Sequence, residues 1–214
     1  RFLILKRSVN MAIKNIIFDF GGVLINWDPH VPFIKAFNGD EEKAQWFIKN
    51  ICNHEWNMRL DKGMSFDEGI REKIELFPDY ADYIHLYKSE WIHTVTGAIE
   101  GTVDILSQLK EQHPYRLLGI TNWSGETFPL AKVKFPFLNW FEDIVVSGDV
   151  KMVKPDAEIF EYAMKRFTVV PEESIFIDDN ADNFKQAKSM GIQAIHFKNP
   201  KQLREDLERF GVKV

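Results

Sequence analysis

The stretch Asn15-Ile16-Ile17-Phe18-Asp19-Phe20-Gly21-Gly22 decides how the chain folds. A short, near-continuous apolar run that ends at an acid and two glycines reads as a strand covered on both faces, the kind found in parallel sheets. Four later runs share the pattern: residues 115–121 (YRLLGIT), 143–147 (DIVVS), 174–178 (SIFID) and 192–197 (IQAIHF). Helical spacing fills the gaps between the later ones. Thr102 is placed to cap a helix carrying Val103, Leu106 and Leu109. Asp156 opens one with Ile159, Phe160, Ala163, Met164 and Phe167. A third follows Asn180, carries Phe184 and Ala187, and stops at Gly191. This alternation predicts an α/β, Rossmann-like, doubly wound parallel sheet of at least five strands.

The interval 28–99 is different, with no strand-like run. Ala44, Phe47, Ile48 and Ile51 share one apolar face. Ser65-Phe66-Asp67-Glu68 is a capping box ahead of Ile70, Ile74 and Phe77. Tyr80, Ile84, Tyr87 and Trp91 form a further stripe. Residues 11–27 and 100–214 therefore read as the core, with residues 28–99 inserted as a helical cap whose aromatics are mostly packing. Met11 is a plausible start, which makes residues 1–10 an upstream extension.

The totals limit the function. With 214 residues and 45% hydrophobic content, a sizeable core can be buried. A net charge of −5 gives no electrostatic reason to expect nucleic acid or an anionic membrane as partner. The single cysteine, Cys52, excludes an internal disulfide, fits a reducing cytosol and reads as a small buried residue on a helix. The six histidines lack metal-ligand spacing. There is no Gly-x-Ser-x-Gly elbow, P-loop or dinucleotide fingerprint. The sequon Asn122-Trp123-Ser124 reads as accidental.

Chemistry gathers at the strand ends, where open α/β sheets bind ligands. Asp19 closes the first strand, and Asp178-Asp179 close the fourth. Acids brought together there need a cation or a proton between them, and Mg²⁺ suits a few carboxylates plus substrate phosphate. Each Asp could equally cap a turn. Thr121-Asn122 offer a hydroxyl, an amide and backbone donors, and Lys154 in Lys-Pro-Asp stands just ahead of a helix. Donors, a lysine and a metal are what a transferring phosphoryl group requires.

Phe18-Asp19-Phe20-Gly21-Gly22-Val23-Leu24, Thr121-Asn122, Lys154-Pro155-Asp156 and Phe176-Ile177-Asp178-Asp179-Asn180, in that order, resemble the four motifs of the haloacid dehalogenase-like hydrolase superfamily. The insertion is similar to its helical cap of the first class. Gly-Gly-Val-Leu, Thr-Asn-Trp-Ser and Asp-Asp-Asn-Ala-Asp-Asn resemble its sugar-phosphate phosphatase branch. The resemblance implies that Asp19 attacks phosphorus and forms an aspartyl-phosphate, which water then hydrolyses. It implies Mg²⁺ held by Asp19, the Gly21 carbonyl and Asp179, with Asp178 a direct or water-mediated fourth group. Thr121, Asn122 and Lys154 would hold the phosphate, and the substrate would be a small phosphorylated metabolite.

One position departs from the pattern. Many related phosphatases read Asp-x-Asp, the second Asp serving as general acid and base, whereas here that position is Gly21. A substrate with a good leaving group or an acid from elsewhere, such as Asp28 or His30, would compensate. A dehalogenase acting on 2-haloacids also lacks the second Asp but needs no metal, so Asp178-Asp179 favour the phosphatase. An impaired binding or regulatory protein is a third reading. Trp123, Arg59 and Trp56 are the expected specificity residues.

Overall fold

Strand β1 (Asn15–Phe18) is buried along its whole length, and its side chains alternate between two apolar clusters. Ile16 and Phe18 enter one, Ile17 the other, as the two-residue period of a strand requires. The computed structural model describes residues 12–112 and 114–214. The expected start at Met11 and the extension 1–10 lie outside the described residues. After β1 come β2 (Ile25–Trp27), α1 (Val31–Ala36), α2 (Glu41–Asn50), α3 (His54–Asp61), α4 (Phe66–Leu76), α5 (Ala81–Ser89) and β3 (Val95–Ala98). Then follow α6 (Glu100–Gln112), β4 (Arg116–Thr121), α7 (Phe128–Lys134), β5 (Asp143–Val146), α8 (Ser147–Val150), α9 (Ala157–Phe167), β6 (Ser174–Asp178), α10 (Ala181–Ser189), β7 (Gln193–His196) and α11 (Pro200–Arg209).

The five expected strands are β1, β4, β5, β6 and β7. They pair in the order β5-β4-β1-β6-β7, every neighbour parallel. This is the α/β doubly wound sheet the sequence predicts. Helix α9 packs one face with Ile159, Phe160, Ala163 and Phe167 against Ile17, Leu118, Ile120 and Phe176. Helices α6 and α11 cover the other with Ile105, Leu106, Leu109, Leu203 and Leu207. Each such side chain, fully buried, contributes roughly 1.5–3 kcal/mol. The first strand stops at Phe18 rather than Phe20, because the next backbone N–H, that of Asp19, makes the last bond to the sheet, to the Ile177 carbonyl at 2.8 Å. Chain reversal then begins at once.

Three expectations change, and one helix is added. Thr102 is no cap: α6 already begins at Glu100, and the buried Thr102 hydroxyl has no hydrogen-bond partner. Cys52 is buried but lies just past α2. Helix α11 went unread in the sequence, although Asn199 caps it by accepting from the Gln202 N–H. The interval 28–99 does contain a strand. Segment β3 pairs antiparallel with β2, Ile25 opposite Ala98, with an irregularity at Asn26/Trp27. This two-stranded ribbon joins the sheet to helices α1 to α5 on both their entry and their exit. Inside that helical interval Ser65 Oγ accepts from the Glu68 N–H, the first half of the expected capping box, and Phe47, Ile84 and Tyr87 are buried as expected, with Phe33 packed against Phe47 and Tyr87.

Candidate active site

The parallel strands end on one edge, and three of the expected residues meet there through one ammonium. Lys154 Nζ lies 2.9 Å from Asp19 Oδ1 and 2.7 Å from Asp178 Oδ2. All three are buried. The lysine reaches this position because Asn122 grips its peptide: Lys154 N donates to Asn122 Oδ1 at 2.8 Å, and Asn122 Nδ2 donates to the Lys154 carbonyl at 2.9 Å. The Asn122 side chain is thus committed to holding the lysine, which leaves only its backbone for a phosphate. Thr121 is buried at the end of β4.

Asp178 is fully enclosed and its oxygens are all engaged. It accepts from the Asn180 N–H at 2.8 Å and from Asn183 Nδ2 at 3.1 and 3.0 Å, besides Lys154. Asn183 stands in the first turn of α10 and was not singled out in the sequence, although it is the last residue of the Asp-Asp-Asn-Ala-Asp-Asn run. Asp179, by contrast, is exposed. One oxygen from each of Asp19, Asp178 and Asp179 lies within 4.8 Å of the others. Three hard oxygen donors grouped so closely, with one exposed side, fit a divalent cation such as Mg²⁺.

Electrostatics favour positive charge beside these acids. Burial pushes the Asp19 carboxyl up to about 7, against the Lys154 ammonium, and Asp178 and Asp179 add to the push. Lys154 is raised as well: burial opposes its charge, but Asp178 and Asp19 together outweigh that. Gly22 is needed for two reasons. Its φ is 73°, and a Cβ there would collide with the Asp179 carboxylate, so the turn brings backbone up against the acid. Gly21 is different, since a Cβ at Gly21 would meet nothing within 4 Å.

Asp19, Gly21, Gly22, Asn122, Lys154 and Asp179 face a crevice of about 760 Å³, whereas Asp178 and Thr121 lie behind its wall; the volume is in the range of sites for small molecules. Its far wall is helix α3, which presents His54, Asn57, Met58 and Asp61. Spacings of three and four residues put these on one helical face. Asn26, Trp27, Trp91 and Thr96 from the ribbon and its approach close the side. Of the expected specificity residues, Trp123 lines the crevice. Trp56 and Arg59 do not, because they sit on other faces of α3. Trp56 is buried against Tyr87, and Arg59 makes a two-pronged surface pair with Glu72 at 2.7 and 2.9 Å. Of the two alternative acids, Asp28 lines the crevice but bonds His30 Nδ1 at 2.8 Å, and His30 is not on its wall. A groove of about 840 Å³ between α4, α5 and α7 is larger, but none of the grouped acids faces it. Burial pushes the Cys52 thiol up to about 12, so it is inert at neutral pH.

Asp61 is the unexpected acid. It is half-buried, and desolvation pushes its carboxyl up to about 7 against hydrogen bonds from the Ser124 backbone and Asn57. Unfolded, the group titrates near its ordinary 3.8. Between that value and 7 the folded state binds the proton more tightly, so stability falls as pH rises through this window. Asp61→Asn removes the buried charge. Its stability gain over the wild type is expected to vanish near pH 4 and to be complete by about pH 8, on the order of 4 kcal/mol. Thermal melts at the two pH values check this, and a gain that does not change with pH contradicts it.

A doubly wound parallel sheet thus gathers at its strand ends a buried lysine shared by two buried carboxylates and a third, exposed one. The haloacid dehalogenase-like hydrolase family matches residues 16–197, and the chain belongs to that family. A phosphorylated carbohydrates phosphatase of Thermotoga maritima is 40% identical over 86% of this chain and 84% of its own length. Mouse acyl-CoA dehydrogenase family member 10 is 29% identical over 94% of this chain, which spans only 19% of that relative's length. A solved HAD family enzyme from Bacteroides thetaiotaomicron, in complex with magnesium and inorganic phosphate, superposes with a TM-score of 0.66. It is 26% identical, over 88% of this chain and 96% of its own. Among the described residues no helix is long and apolar enough to cross a membrane.

Proposed function

We propose that this hydrolase is a Mg²⁺-dependent phosphatase of small phosphorylated metabolites, with sugar or polyol phosphates the substrate class, and that Asp19 is its covalent nucleophile. The observation that carries the reading is the single buried ammonium shared by Asp19 and Asp178, beside an exposed Asp179. Lys154 keeps one Asp19 oxygen oriented and offsets charge as a phosphoryl dianion approaches. Asp19 Oδ attacks phosphorus, the bond to the ester oxygen breaks, and the alcohol leaves. Water then attacks phosphorus of the aspartyl-phosphate and releases inorganic phosphate. Asp19, Asp179 and the Gly21 carbonyl would hold Mg²⁺, with Asp178 beside it. The ion would neutralise the phosphoryl oxygens. The Thr121 hydroxyl and the Asn122 backbone would donate to those oxygens.

Residues 28–99 would act as a cap. The β2/β3 ribbon is its two-stranded tether, and α3 the face that meets the substrate and helps exclude water. Trp123 would pack against the substrate's carbon skeleton. The Thermotoga relative named for phosphorylated carbohydrates supports the substrate class, as does the polar face of α3. A panel of phosphorylated metabolites, assayed for phosphate with Mg²⁺ and with chelator, tests the reading. Release is expected from sugar or polyol phosphates and is expected to drop by about 10² or more on chelation. Halide release from 2-haloacids without phosphate release, indifferent to chelator, contradicts it.

A further inference from the structure

The reaction needs a proton donor that the first strand does not supply. At Gly21, two residues beyond Asp19, no side chain exists, and the space a Cβ would enter is open to 4 Å. Gly21 lines the same crevice as Asp19. The acids that line the crevice outside the carboxylate cluster are therefore the candidates. Asp28 is turned to His30, and Asp182 is exposed with Lys185 Nζ 3.0 Å away. Asp61 stands apart, because the groups that hold it are neutral donors.

Its placement is fixed on several sides. Asn57 Nδ2 donates to Asp61 Oδ2 at 2.9 Å, and Asn57 Oδ1 in turn accepts from Tyr87 OH at 2.8 Å. Ser147 Oγ donates to the Asp61 carbonyl at 2.6 Å, and the same hydroxyl accepts from the Trp123 N–H at 2.8 Å. The end of α3 is thereby pinned to the loop that follows β4, beside the crevice. A catalytic side chain locked by second contacts in this way is pre-organised.

We propose that Asp61, on the inserted helix α3, is the general acid and base of this site and replaces the acid missing at Gly21. The proposal rests on the phosphatase reading. In the first step the Asp61 carboxyl gives its proton to the ester oxygen as the P–O bond breaks, so an alcohol leaves and Asp61 becomes a carboxylate. In the second, that carboxylate takes a proton from the water whose oxygen attacks phosphorus. The P–O bond to Asp19 breaks, and both side chains return to their starting states. The carboxyl, pushed up to about 7, is poised for both transfers near neutral pH.

The test compares kcat/KM for a series of alkyl and aryl phosphates of graded leaving-group acidity, using the full chain with Mg²⁺. Wild type is expected to depend weakly on leaving-group pKa. Asp61→Asn is expected to lose about 10²- to 10⁴-fold on alkyl phosphates and tenfold or less on p-nitrophenyl phosphate, giving a steep dependence. Asp61→Glu, which keeps an acid, is expected to stay shallow. Gly21→Asp, for which there is room, is expected to restore alkyl phosphate hydrolysis in the Asp61→Asn background. Parallel plots for wild type and Asp61→Asn, or no rescue by Gly21→Asp, would overturn this role while leaving the phosphatase reading standing. A wild type that releases phosphate from no member of the series overturns both.

Discussion

Asp19→Asn is expected to abolish phosphate release, by about 10⁴ or more in kcat, while leaving the protein folded. The amide cannot attack phosphorus or carry the phosphoryl group between steps, so the two-step route closes. The fold is expected to survive because Lys154 keeps its second partner. With Asp178 Oδ2 2.7 Å away, the buried ammonium is not orphaned when Asp19 loses its charge. The desolvation that pushes the Asp19 carboxyl upwards is also relieved. Thermal unfolding within a few degrees of wild type, together with lost turnover, is the expected pair of results. Activity within about tenfold of wild type would remove Asp19 from the chemistry.

Lys154→Met is expected to injure both stability and rate. Lys154 is 1% exposed, and its methylene stem packs in the interior, its ammonium 5.3 Å from the Phe176 ring centroid. Methionine fills much of that volume, so the loss isolates the charge. Two buried carboxylates, Asp19 and Asp178, then face each other without their shared cation. Breaking a buried pair in this way costs about 3–5 kcal/mol, a large fraction of a typical domain's stability. Catalysis would lose a further 10²–10³ or so from the missing positive charge. The two effects separate experimentally. Denaturant unfolding without Mg²⁺ reads the first, and turnover at a temperature where the variant is folded reads the second. A variant as stable as wild type would mean that the carboxylates find another partner.

The two substitutions also show which features the sequence displays. The sheet was legible because parallel strands buried on both faces must lack polar side chains along their middles, and residues 16–18, 117–120 and 175–177 do. Asp19, Lys154 and Asp178 were legible because each sits where a strand ends or a helix begins. The ribbon was not. Segments of three and four residues that contain Asn26 and Gly97 carry little strand propensity, and β2 and β3 find each other only across about seventy intervening residues. The wall of the crevice was half legible. Trp56 and Arg59, expected because they lie in the inserted interval, are on the helix that forms it, but membership of that interval does not tell which way a helix faces. The spacing 54, 57, 58, 61 was the available signal, a stripe polar at His54, Asn57 and Asp61 on a helix whose Trp56 and Leu60 point to its own core. Asn122 shows a further limit. Its place in a strand-end motif suggested phosphate, whereas both polar atoms of its side chain hold the Lys154 peptide. The exchange is visible only when residues 32 positions apart are seen together.

The most direct measurement is mass spectrometry of the Asp19 peptide from Mg²⁺-loaded protein, quenched in acid during turnover of a sugar or polyol phosphate. The expected result is one phosphoryl group on Asp19, absent from Asp19→Asn and lost as substrate is exhausted. Steady phosphate release with an unmodified Asp19 peptide at every time point would contradict covalent catalysis by this residue.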